Sequence, residues 1–208
     1  VVNPESPGFY SRIFVVPKKD GRLRPVIDLK LLNKFLIKKP FKMETPQTIR
    51  RTLQQGMWAV SLDLKDAYFQ VPIHPNSRKY LRICQGEKVY QFRALPFGVK
   101  TAPWIFTKIF RQVAIMLAAR GIRSNLYLDD WLMPAFQRNQ ALMSRDTTLN
   151  LALRLGCVIN WEKSELVPKQ EFVFVGMWWD LVRGIVTQAE EKLERLQRKT
   201  SLFLQSPQ

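Results

Sequence analysis

The chain has 208 residues, 46% hydrophobic and 24% charged, with 33 Lys and Arg against 17 Asp and Glu, a net charge of +16. This composition is that of a globular protein, and a basic excess of that size points to a polyanionic partner, nucleic acid before membrane. Two cysteines and one histidine exclude a disulfide scaffold, a four-Cys zinc site and a His-rich metal centre, and they disfavour a Ser-His-Asp hydrolase. No apolar run reaches the roughly 18 residues that a membrane span needs. The first residues carry neither the basic nor the apolar segment of a signal peptide and no starting Met, so an excerpt of a longer polypeptide is expected.

The basic charge is concentrated at the start. Residues 1–55 hold twelve Lys and Arg against four acids, or +8. Arg12-Ile-Phe-Val-Val is apolar and β-branched, Asp20-Gly21 is a turn signal, and Arg24-Pro-Val-Ile-Asp28 resumes strand character, so a hairpin with a basic tip is expected. Residues 58–70 alternate, with Val60, Leu62 and Leu64 on one face and Ser61, Asp63 and Lys65 on the other. Asp63 therefore stands on the open face of a half-buried strand. From Thr101 the period becomes helical through Ile105, Phe106, Ile109, Phe110, Val113 and Leu117, with Pro103 in the first turn and Gly121 as the stop. Residues 125–133 form a short apolar run broken by Asp129-Asp130. Residues 142–155 read as a helix ended by Gly156, residues 171–179 as a strand, and residues 188–204 as a charged helix. The alternation predicts an α+β domain with an antiparallel sheet.

Adjacent acids repel, and half-burying them costs several kcal/mol per ion unless a cation neutralises them. Asp129 and Asp130 sit between apolar residues in Leu126-Tyr-Leu-Asp-Asp-Trp-Leu-Met, and Asp63 interrupts a second apolar strand. Oxygen ligands without His or Cys point to Mg²⁺ or Mn²⁺. Carboxylate-held metal in a basic chain points to phosphoryl transfer on nucleic acid.

These residues resemble the motifs of reverse transcriptases. Tyr127-Leu-Asp-Asp130 resembles their signature box and Ser61-Leu-Asp-Leu-Lys-Asp-Ala-Tyr-Phe69 their first catalytic motif. Leu95-Pro-Phe-Gly98 with Thr101-Ala-Pro resembles the motif at the nascent base pair. Phe14-Val-Val-Pro-Lys18 with Arg24-Pro-Val-Ile-Asp28 resembles the fingers hairpin. Residues 155–163 and Phe174-Val-Gly176 resemble two later palm motifs. The matches keep the family's order over about residues 9–180, and the wording is most similar to retrotransposon enzymes of the tyrosine-recombinase (DIRS-like) group, with Ty3/gypsy-like elements and pararetroviruses as neighbours.

The resemblance implies an α+β right-hand polymerase with an antiparallel palm sheet backed by helices: fingers at 1–55 and 71–95, palm at 56–70 and 96–180, and the start of a thumb at 181–208. It implies two Mg²⁺ ions, or Mn²⁺, held by Asp63 and Asp129 with help from the Leu64 carbonyl, and Asp130 in support. Lys18 and Arg24 would bind the incoming triphosphate, as would the backbone amides of Asp66 and Ala67. Tyr68 would be the steric gate against a 2′-hydroxyl, Phe97 would pack under the new base pair, and Gly98 would allow close backbone approach. Lys163 would protonate pyrophosphate. Phe174, Val175 and Gly176 would grip the primer, and Lys30 and Asn33 would touch template. Phe69 is expected in the core, and His74, Cys84 and Cys157 are read as structural.

The implied reaction is RNA-directed DNA synthesis, in which a primer 3′-hydroxyl attacks the α-phosphorus of a dNTP on an RNA or DNA template. Implied partners are template, primer, dNTPs and further polyprotein domains (the full thumb, RNase H, and a recombinase or integrase), with no membrane and an intracellular setting, cytoplasm or nucleus. Two other readings stand beside it: an RNA-dependent RNA polymerase, disfavoured by Tyr68, and a non-catalytic domesticated palm that only binds nucleic acid.

Overall fold

The computed structural model describes residues 1–3, 6–17, 21, 23–190 and 193–194. Strands and helices follow in the order β1 (Tyr10–Pro17), β2 (Leu23–Asp28), α1 (Lys30–Phe35), α2 (Pro46–Thr52), β3 (Trp58–Asp63), β4 (Arg82–Gln85), β5 (Lys88–Gln91), α3 (Ala102–Ala118), β6 (Asn125–Tyr127), β7 (Asp130–Ala135), α4 (Arg138–Arg154), β8 (Glu165–Lys169), β9 (Glu171–Phe174), β10 (Met177–Asp180) and β11 (Ile185–Gln188). The chain forms two compact units, Val1–Lys42 with Asp66–Phe110 and Met43–Lys65 with Arg111–Gln208.

The first unit holds a sheet of order β2-β1-β4-β5. The expected hairpin is present: β1 and β2 pair antiparallel from Arg12–Asp28 to Pro17–Leu23. Its tip residues Lys18, Lys19, Asp20 and Arg22 lie outside the described residues. Among the described residues β1 meets β4 in parallel only at Tyr10 and Ser11. Beyond them Ile13, Phe14, Val15 and Leu23 are exposed.

The second unit is built on an antiparallel sheet of order β6-β7-β3-β8. Central β3 buries Ala59, Val60 and Leu62, and Leu64 just beyond its end is also buried. The alternation that placed Val60, Leu62 and Leu64 inward is thus observed, and Asp63 is half-buried. Helix α4 lies against β3, β7 and β8 and buries the small residues Ala141, Ser144, Thr148 and Ala152. This spacing of three and four keeps one face of the helix on the sheet. Ile49, Leu53, Met57, Ala59, Leu132, Phe174, Trp179 and Leu181 form a core, with the β9–β11 sheet contributing Phe174 and Trp179.

Several expectations need correction. The strand read over 171–179 is a hairpin, β9 and β10, turning on Val175 (φ +51°) and Gly176 (φ +68°). Two consecutive positive φ angles make the sharp reversal that strand twist favours, and Gly176 was its only local signal. Gln188 closes β11 rather than opening a helix, because β11 pairs with β10 up to Met177–Gln188; most of the expected charged helix lies outside the described residues. Helix α4 starts at Arg138, earlier than expected, since its first turn is polar and carries no apolar period. The alternation anticipated one helix between the first hairpin and β3, where the structure has α1 and α2, and it did not anticipate the β4–β5 hairpin. α2 begins with a capping box, in which Thr45 and Thr48 exchange side-chain and backbone hydrogen bonds.

Candidate active site

The three aspartates converge on one end of the second unit's sheet. Strands β6 and β7 turn tightly through Leu128 and Asp129, because Tyr127 pairs with Asp130. Leu128 takes φ +55°, a left-handed value usually left to glycine. A leucine held there stores local strain of the kind found at functional sites. The turn projects Asp129 at its apex and starts β7 with Asp130. Because β3 and β7 pair in register from Trp58–Ala135, Asp130 stands directly opposite Asp63. A sequence separation of 67 positions is thereby closed.

The electrostatics follow from this crowding. Burial pushes the Asp130 carboxyl up to about 7, and the charges of Asp129 and Asp63 and a side-chain hydrogen bond with Asp63 push the same way. Asp129 is raised by burial and by the Asp63 charge. The positive charge of Lys163 opposes the rise at both Asp129 and Asp130, so it lies within electrostatic reach of the acids.

The end of β3 is held on two sides. The Leu64 amide donates to the Asp129 carbonyl at 2.8 Å. The segment after α4 takes up the other side: the Lys65 amide donates to the Val158 carbonyl and the Asn160 amide to the Asp63 carbonyl, both at 2.8 Å, around a bridge between Leu64 and Ile159. The Asp63 amide donates to Ser164 Oγ at 3.0 Å, and Ser164 Oγ donates to the Asn160 carbonyl at 2.8 Å. Ser164 was missed. A single serine 101 positions from its partner carries no local signal.

The donor set fits a hard divalent cation. Three carboxylates meet where two have raised proton affinity, and a cation there would offset both the burial and the repulsion that raise it. Among the described residues no three acidic, His or Cys side chains form a ready-made cage. Mg²⁺ suits such a site, because it keeps waters and is completed by phosphates rather than enclosed by protein.

In the first unit, other predicted residues meet. The Arg24 guanidinium lies 5.5 Å from the Phe97 ring centre, and Phe97 packs on Tyr68 at 4.8 Å. Tyr68 is buried, with its ring edge-on to Phe106 at 5.6 Å. Phe69, expected in the core, is instead 42% exposed. It lies beside Phe92 and edge-on to Phe97, because the short 3₁₀ turn Ala67–Gln70 sends Tyr68 inward and its neighbour outward. Asp66 is exposed and left-handed (φ +51°), and its carbonyl accepts the Phe69 amide at 2.8 Å, which closes that turn.

Gly98 has φ +93°, and a Cβ there would meet nothing closer than 3.6 Å. The positive φ is a conformation that side-chain-bearing residues rarely adopt, which suits glycine at this loop position. Asn33 holds the same loop: its Nδ2 donates to the Gly98 carbonyl at 2.8 Å and its Oδ1 accepts the Lys100 amide at 2.7 Å. Lys30 is exposed. Lys18 lies outside the described residues. In the second unit, Phe174 is buried and its carbonyl accepts the Trp179 indole N–H at 3.1 Å, Val175 packs against the core, and Gly176 is exposed at the hairpin turn.

Residues 16–179 match the reverse transcriptase (RNA-dependent DNA polymerase) family, and the chain belongs to it. It is 25% identical over 181 residues to the genome polyprotein of Petunia vein clearing virus (isolate Shepherd), which covers 85% of this chain and 8% of that protein. It is 30% identical over 130 residues to Protein P of Duck hepatitis B virus (strain China), over 62% of this chain and 16% of that protein. The chain thus spans a small part of the curated relatives it matches. The solved foamy viral protease–reverse transcriptase in complex with double-stranded DNA matches 90% of this chain and 32% of its own, at 22% identity and a TM-score of 0.78. That likeness shows the fold, the α+β fingers-and-palm arrangement with antiparallel sheets backed by helices. Among the described residues no helix is long and apolar enough to cross a membrane.

Proposed function

We propose that this chain is the fingers and palm of an RNA-directed DNA polymerase of a retroelement, extending a primer with dNTPs on an RNA or DNA template. The observation that carries the reading is the junction of Asp63, Asp129 and Asp130 at one strand end, with Lys163 beside them, on the motifs that match the family. Asp63 and Asp129 would hold divalent metal with the Leu64 carbonyl, Asp130 in support. When bound, the two ions supply charge stabilisation for the attacking and leaving oxygens. Arg24, Lys18 and the amides of Asp66 and Ala67 receive the triphosphate. Tyr68 fills the space a 2′-hydroxyl would need, and Phe97 supports the base. Lys163 stands ready to give a proton to the leaving pyrophosphate. Phe174, Val175 and Gly176 form the primer grip, and Lys30 and Asn33 face the template.

We assign 1–55 and 71–95 to fingers, 56–70 and 96–180 to palm, and 181–208 to the start of a thumb. The retroelement is of the DIRS-like group, and the other polymerase domains belong to a polyprotein, a form its viral relative shares. The test is primer extension with Mg²⁺ on RNA and DNA templates, using wild type and Asp129→Asn. Losing one metal-binding carboxylate should cut extension about 1,000-fold, roughly 4 kcal/mol. Duplex affinity should stay nearly intact, since it rests on basic surface. Incorporation of rNTPs in preference to dNTPs would favour the RNA polymerase reading. Binding without extension by the wild type would favour the non-catalytic one.

A further inference from the structure

We propose that Ser164 is a positioning residue that sets the metal-binding strand end through the backbone of Asp63. The inference rests on the metal-site reading above and names a residue outside it. β8 begins at Glu165, and its pairing with β3 runs through Ala59–Lys169 and Ser61–Glu165 with a shift between them. The Asp63 amide therefore lies past the last ladder partner of β3 on that side. Ser164 Oγ supplies the missing acceptor at 3.0 Å. The same hydroxyl spends its proton on the Asn160 carbonyl at 2.8 Å, while the Asn160 amide donates to the Asp63 carbonyl at 2.8 Å. Both polar groups of the Asp63 backbone are thus fixed by one five-residue turn, which also carries Lys163. One hydroxyl, acting as donor and acceptor at once, ties the strand to the turn.

Asp63 pairs with Asp130, and the next residue, Leu64, donates its amide to the Asp129 carbonyl. Loosening the Asp63 backbone therefore misplaces its carboxylate against two others that must meet one ion. Outer groups that orient a ligand are commonly worth 10- to 100-fold in metal affinity or activity. Ser164→Ala removes the acceptor and leaves the Asp63 amide without a partner. Ser164→Thr keeps the hydroxyl.

The test uses the 208-residue chain and two readouts that need no turnover: hydrogen exchange of the Asp63 amide, and Mn²⁺ binding by electron paramagnetic resonance. In Ser164→Ala the Asp63 amide should exchange at least about 10-fold faster, and Mn²⁺ should bind about 10-fold more weakly. In primer extension, kcat should fall about 10- to 100-fold with the KM for dNTP little changed. Ser164→Thr should restore all of these. Ser164→Cys, close in size to serine, should fold and fall between the two. Unchanged exchange at Asp63 or unchanged Mn²⁺ affinity in Ser164→Ala would overturn the proposal. So would a loss in Ser164→Ala matched by an equal loss in Ser164→Thr. A wild type that binds Mn²⁺ but extends no primer would overturn the polymerase reading alone, because the exchange and Mn²⁺ comparisons still decide the role of Ser164.

Discussion

At Asp130 the carboxyl is held near 7, against an ordinary value of about 4. Between those two values the folded chain binds a proton that the unfolded chain has released. The contribution of Asp130 to stability without divalent ions is therefore full below about pH 4 and is lost as pH rises through 7, by an amount on the order of a few kcal/mol. Melting temperatures from pH 5 to pH 8 in chelator should fall for the wild type and fall less for Asp130→Asn. Equal slopes for the two proteins would remove Asp130 as the source. Divalent ions should stabilise the wild type more at pH 8 than at pH 6, because the ligands must shed protons to bind. The other telling residue is Tyr68, which is both buried against Phe106 and packed on Phe97. Tyr68→Ala should cost roughly 3–5 kcal/mol of stability. It should also lower discrimination between dGTP and GTP by about 10- to 200-fold in the ratio of kcat/KM, measured where both proteins are folded. A lower activity with an unchanged ratio would leave Tyr68 as core alone.

Elements whose burial follows a simple period were readable from sequence. The alternation of Val60, Leu62 and Leu64 marked β3, and the apolar spacing from Ile105 to Leu117 marked α3. What stayed hidden depends on distant pairing. The β4–β5 hairpin is short, and its mix of buried, half-buried and exposed residues shows no strict alternation. The β6–β7 turn could be taken only from resemblance, since its residues lack the glycine of the usual two-residue hairpin turn and the left-handed leucine is imposed by the strands around it. Of the candidate site, the carboxylates were legible as chemistry, while their meeting required the register of β3 on β7. In α4 the sequence shows weak amphipathicity because the buried stripe is small and partly polar. Thr148 on that stripe is fully buried, and its hydroxyl has no partner among the described residues. Thr148→Val keeps the shape and removes the unpaired group, so it should stabilise the protein by about 1–2 kcal/mol in urea unfolding. A destabilised variant would mean that the hydroxyl has a partner, such as a buried water.

Across the whole molecule the net charge of +16 sets the physics of association. Each phosphate neutralised by Lys or Arg releases condensed counterions, so affinity for a primer–template duplex should fall with salt at a log–log slope near −0.9 per phosphate contacted. A binding constant unchanged between about 50 and 200 mM salt would show that the basic excess is not the nucleic-acid surface. Titration by fluorescence anisotropy across that range measures the slope. Asp129→Asn should share the wild-type slope, because it changes no basic residue.

Among the described residues, the hairpin of β1 and β2 has a third strand beside it only at Tyr10 and Ser11, while Arg24 lies opposite Val16 in the part that has none. A free two-stranded ribbon is marginal in water. If Arg24 receives an anion, as proposed above, any fraction of time the ribbon spends unpaired weakens capture, because the apparent dissociation constant is the intrinsic one divided by the paired fraction. Ordering the ribbon becomes part of capturing the anion. A cross-link that pins the two strands would tighten binding without adding a single contact to the anion itself.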